Sequence, residues 1–81
     1  MLVTIFYTGD DGKHGNVTET RKPHESSEQA LARICFEDER LPFGFTVNAA
    51  IIHENPLMGC TTIPAEKVVE ILAKYGNGMN V

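Results

Sequence analysis

A punctuated helix signature near the end of the chain constrains the fold more than any other feature. Within residues 62–76, Val68, Ile71, Leu72 and Tyr75 fall at i, i+3, i+4 and i+7, one face of an α-helix. Pro64 stands in the expected first turn, where a missing N–H is no loss, and Gly76 follows the last periodic residue as a stop signal. An amphipathic helix needs an apolar surface to lie on. The segments before it read as strands that would provide one.

Leu2 to Thr8 is rich in β-branched and aromatic residues and predicts a strand buried on much of both faces. Turn formers follow from Gly9 to Gly15, with an Asp11-Gly12 pair suited to a hairpin. Asn16 to Lys22 alternates with high β propensity and little apolar content, which predicts an edge strand whose charges discourage further pairing. Pro23 ends it. Ser26 with Gln29 three residues on fits a capping box and opens a helix expected to run through Leu41, with Leu31, Ile34, Cys35 and Leu41 on or near its stripe and Pro42 and Gly44 to stop it.

Residues 45–54 fit two periods. Phe45, Val47, Ala49 and Ile51 alternate as a strand does, whereas Val47, Ala50, Ile51 and Glu54 fit a helix. Short length and the flanking Gly44 and Pro56 favour the strand. Residues 55–62 read as loop or a short strand near Cys60. The order is β-β-α-β-(β)-α, and the simplest architecture is an α+β fold: a small antiparallel sheet with two helices packed on one face. One domain over residues 1–76 is expected, with 77–81 as a flexible C-terminal tail, and the chain is read as complete from Met1.

Composition narrows the function classes. Hydrophobic residues make up 42% and charged residues 22%, ordinary for a folded protein. Eleven acidic against seven basic residues give a net charge of −4, which disfavours direct nucleic-acid binding, where a net basic face is usual. The charges segregate: Lys13, Arg21 and Lys22 face only Glu19 within residues 13–24, while Glu25, Glu28, Glu37, Asp38 and Glu39 outnumber Arg33 and Arg40 within 25–41. Two cysteines make no disulfide framework, no secretory leader is recognisable, and no stretch reaches membrane-spanning length. A cytoplasmic protein that does not engage membranes is expected.

No catalytic, metal or cofactor motif stands out, and a non-enzymatic protein without a cofactor is expected. Gly12-Lys13-His14-Gly15 matches the GXXG pattern of an RNA-binding module, but that module sets the loop between two helices, and here the glycines serve a hairpin turn. Cys35, Cys60, His24 and His53 are the atom types of a zinc site without the close spacing of one. Asp10, Asp11 and Gly12 lack the remaining positions of a calcium loop. Cys60 with His53 as base is a conceivable nucleophile pair, with no third orienting group evident from the sequence. Phe43, Phe45, Leu57 and Met58 lie in loop-like contexts, where together they would form a docking patch if exposed.

The leading expectation is a small protein-interaction module. In size, mild acidity and lack of motifs the chain is similar to the small proteins that phages and mobile elements encode against host defences, anti-CRISPR proteins among them. This resemblance implies an inhibitor that occupies a surface on a host protein or nucleoprotein complex. Glu37, Asp38 and Glu39 would then meet basic nucleic-acid-binding sites, with Arg21 and Lys22 as a second partner-binding pair. The alternative is a nucleic-acid or small-ligand binder using the Gly9–Gly15 loop and its basic neighbours. A homodimer could form through the edge strand or the Ile-rich segment.

Overall fold

The computed structural model describes residues 1–55 and 59–79. Strands β1 (Leu2–Thr8) and β2 (His14–Thr20) form a hairpin, followed by helix α1 (Ser27–Glu37). A second hairpin, β3 (Thr46–Asn55) and β4 (Gly59–Pro64), leads into helix α2 (Ala65–Met79). All pairings are antiparallel, and the sheet order is β2-β1-β3-β4. The expected α+β fold and its β-β-α-β-β-α order are therefore present, and residues 46–55 are strand.

The two periods explain the layers. On one sheet face Val3, Ile5, Val17, Val47, Ala50, Ile52 and Ile63 are buried, and they share a core with Ala30, Leu31, Ile34 and Cys35 of α1 and Val68 and Ile71 of α2. Strand alternation and helical spacing converge on a single apolar layer. A register shift between Phe6 and Tyr7 leaves Asn48 without a partner on β1, a bulge that returns Val47 to the core face. On the face away from the helices Leu2 is 44% exposed, whereas Thr4 is buried and Phe6 and Thr8 are half-buried, so β1 is buried on much of both faces apart from its first residue.

Ser26 caps α1 as expected: its side chain accepts from the Gln29 N–H at 3.1 Å, and the Gln29 side chain accepts from the Ser26 N–H at 2.8 Å. The helix stops at Glu37, four residues short of Leu41. Asp38 leaves helical geometry at ψ 118°, and its carboxylate accepts from the backbone N–H of Arg40 at 2.9 Å. That local side-chain bond competes with a further helical turn.

The second helix departs from its sequence signature at both ends. Pro64 closes β4 instead of opening the helix, which begins at Ala65. Gly76 does not end it: α2 continues to Met79, three residues into the expected tail. A Cβ at Gly76 would stand 3.1 Å from the Phe36 ring, so the missing side chain serves the contact between the two helices. The expected loop patch divides. Phe43 is 97% exposed, Phe45 packs edge-on to Tyr7 with ring centroids 6.2 Å apart, and Leu57 and Met58 lie outside the described residues.

Candidate functional site

The helices cover one face of the sheet. Its opposite face is formed by Leu2, Thr4, Phe6 and Thr8 of β1, Thr18 of β2, Ala49, Ile51 and His53 of β3, and Cys60 and Thr62 of β4. Phe6, Ala49 and Ile51 are half-buried there among polar neighbours. The functional features concentrate on this face and on the two edges of the sheet.

A polar row crosses all four strands on the open face. His53 and Cys60 are direct partners in the β3–β4 register, and Cys60 Sγ lies 3.2 Å from His53 Nδ1. The other ring nitrogen, Nε2, lies 3.3 Å from Thr4 Oγ1. Thr4 in turn meets Thr18 Oγ1 at 2.8 Å across the β1–β2 pair. Thr4 is buried and Cys60 is exposed. The third group that sequence reading did not find is thus Thr4, separated from His53 by 49 positions and brought near it only by strand pairing. The abundance of threonine in β1 and β2 was the available signal.

The sheet edges differ. In an antiparallel ladder alternate residues turn their N–H and C=O toward one neighbour, then toward the other. The Arg21 N–H donates to the Met1 carbonyl and the Gly9 N–H to the Lys13 carbonyl, so odd residues of β1 and β2 bond each other. Thr18 and Thr20 therefore turn outward on the β2 edge, and both carbonyls are occupied. Arg40 Nη2 donates to the Thr18 carbonyl at 3.3 Å and Arg33 Nη2 to the Thr20 carbonyl at 3.1 Å. Following the same alternation through β3, Thr61 and Ile63 bond inward to Ile52 and Ala50. Cys60, Thr62 and Pro64 turn their backbone outward. Pro64, with no N–H to place, sits where none is needed. The run from Gly59 to Thr62 is exposed throughout, and no hydrogen bond to the outward groups of β4 occurs among the described residues.

Ion pairs hold the arginines of the β2 edge. Glu25 takes Arg33 in a two-point contact, Oε2 to Nε at 2.6 Å and Oε1 to Nη2 at 3.1 Å. That hydrogen-bonded guanidinium holds the Glu25 carboxyl below its usual range. Arg40 meets Asp38 at 2.8 Å and Glu19 at 2.6 Å, and the Arg40 contact likewise lowers the Asp38 pKa.

The expected partner-binding residues divide accordingly. Asp38 is engaged as the cap of α1 and the mate of Arg40, while Glu37 and Glu39 are exposed beside it. Arg21 turns inward to donate from Nη1 to the carbonyl of Glu25, and the Lys22 side chain is exposed. In the Gly9–Gly15 loop the Lys13 N–H donates to the Asp11 carboxylate at 3.0 Å, and Asp10 and Asp11 line the same concavity as Lys13, His14 and Arg40. The four candidate zinc ligands do not converge. Cys35 is in the core, where burial pushes its thiol up to about 12, His24 lies in the turn before α1, and only His53 and Cys60 meet. Among the described residues no three histidine, cysteine or carboxylate side chains gather at one point, and no helix is long and apolar enough to cross a membrane.

No family model, curated protein or solved structure matches this chain.

Proposed function

We propose that this protein is a small, non-enzymatic interaction module that takes an extended segment of a protein partner onto the free edge of β4. The observation that carries the reading is the contrast between the edges. On β2, arginines already occupy the outward carbonyls of Thr18 and Thr20, whereas on β4 four consecutive residues are exposed beside outward groups that no described residue occupies. Added strands gain affinity from main-chain hydrogen bonds and specificity from alternate side chains. Here alternate side chains of the added strand would run beside Cys60 and Thr62 on the open face.

In this reading the module acts by occupying its partner's surface, the inhibitory mode implied by its resemblance to phage-type anti-defence proteins. Its two free cysteines fit a reducing cytoplasm. Glu37 and Glu39, exposed and free of the ion pairs that engage Asp38, are the acidic residues left to orient a basic partner. The nucleic-acid alternative draws less support, since Asp10 and Asp11 share the hairpin concavity with its cations and Arg21 is committed internally.

The test uses Thr62→Pro, which deletes an outward N–H and leaves the β3–β4 ladder whole. Peptides selected from a random displayed library against the wild-type protein should lose about tenfold in affinity for this variant, the loss of one main-chain hydrogen bond. Equal affinity for both proteins contradicts the reading. Self-association abolished by the same substitution would identify a second copy as the occupant.

A further inference from the structure

We propose that Cys60 is a reactive thiol that undergoes thiol–disulfide exchange with low-molecular-weight disulfides, His53 accepting its proton and later delivering it. The two cysteines of the chain stand in opposite environments. Cys35 is sealed in the core, and a buried apolar setting suppresses the thiolate that reacts. Cys60 is exposed, with His53 Nδ1 at 3.2 Å. Beyond its chain neighbours, no described residue lies within 4 Å of where a Cβ on the adjacent Gly59 would stand.

The row on the open face gives the thiol proton a place to go. In the tautomer that reacts, the Cys60 S–H donates to His53 Nδ1, the His53 Nε2–H donates to Thr4 Oγ1, and the Thr4 hydroxyl donates to Thr18 Oγ1, an arrangement the distances accommodate. In this tautomer the basic lone pair lies on Nδ1, aimed at sulfur, and Thr4 supports it from the other ring nitrogen. When the proton moves to Nδ1, the imidazolium keeps its Nε2–H on Thr4 and lies against the new thiolate. A nucleophile, a base and a group that orients the base are the parts an activated thiol requires.

The exchange balances with these parts alone. The Cys60 thiolate attacks one sulfur of a disulfide R–S–S–R, a bond forms between Sγ and that sulfur, and the S–S bond of the reagent breaks. The second sulfur leaves as a thiolate and takes the proton from the His53 imidazolium, giving R–SH and a mixed disulfide at Cys60. The reagent is the only oxidant, and His53 returns to its neutral form. The proposal stands independently of strand addition at β4.

The test is the rate of mixed-disulfide formation with oxidised glutathione, followed by intact mass and assigned by peptide mapping. At about pH 6.5 an ordinary thiol, with a pKa of about 8.5, is only about 1% ionised, so activation is visible against that background. Cys60 in the folded protein should react about tenfold faster than Cys60 in the same protein unfolded in urea, and Cys35 should remain unmodified until unfolding. His53→Gln should bring the folded rate to the unfolded one, and Thr4→Val should slow it several-fold while Thr4→Ser restores it. A folded wild-type rate at or below the unfolded rate overturns the proposal, whether or not the variants fold. An unchanged rate in folded His53→Gln overturns it equally.

Discussion

Arg33 donates from Nη2 to the carbonyl oxygen of Thr20 at 3.1 Å, across the outer edge of β2. With Arg40 on the Thr18 carbonyl, it takes two of the acceptors that an added strand would use. That end of the β2 edge is thereby covered by side chains from α1 and the turn that follows it. The opposite side, β4, carries no such cover among the described residues.

Proline scanning of β4 should read the alternation directly. Thr61 turns its N–H toward Ile52, and proline there removes a ladder bond and should cost about 3 kcal/mol or more. Thr62 turns its N–H outward, and proline there should change stability by less than about 1 kcal/mol. Urea denaturation of the two variants checks the pair, and equal losses would reverse the assigned register.

Uncapping β2 should create a second sticky edge. Arg40→Ala removes the donor to the Thr18 carbonyl while leaving Arg33 in place. Sedimentation velocity should show concentration-dependent association absent from the wild type. A monomer at every concentration would mean that the arginine is not what protects this edge.

Acid should weaken the fold through Glu25. Its carboxyl is held below its usual range by Arg33, so its contribution is complete above the unfolded-state pKa of about 4.3 and is lost as pH falls through the lower folded-state value. Glu25→Gln should cost about 1–2 kcal/mol at neutral pH, in line with hydrogen bonds to charged groups. Thermal melts should show the gap between wild type and variant closing as pH drops below about 4. A gap that is constant down to low pH would exclude this pair as the source.

Among the expected partner residues, stability should separate the structural from the free. Asp38→Ala loses the bonds to the Arg40 N–H and guanidinium and should cost about 1 kcal/mol. Glu37→Lys with Glu39→Lys should stay within about 0.5 kcal/mol of wild type, as exposed substitutions do. Equal destabilisation would give Glu37 and Glu39 a structural role.

The sequence was most legible where local chemistry decides the outcome. Ser26 and Gln29 mark the start of α1 because both bonds of the capping box are local. The Val68, Ile71, Leu72 and Tyr75 stripe marks α2 because burial follows the helical period. Local signals failed where a distant contact or a competing side chain intervened. Gly76 reads as a stop until Phe36 is placed against it, and Pro64 reads as a helix start until its outward place on β4 is known. Asp38 ends α1 early through a bond that propensity does not weigh. The His53–Thr4 contact and the arginines on β2 depend on sheet order, which no single segment encodes.

Amide hydrogen exchange at β4, measured on the protein alone and with a library-selected peptide bound, tests strand addition most directly. Cys60 and Thr62 should exchange rapidly in the free protein while Thr61 and Ile63 are protected, and bound peptide should slow Cys60 and Thr62 specifically. Protection that appears instead at the Gly9–Gly15 loop or around Glu37 and Glu39, with Cys60 and Thr62 unchanged, would contradict it.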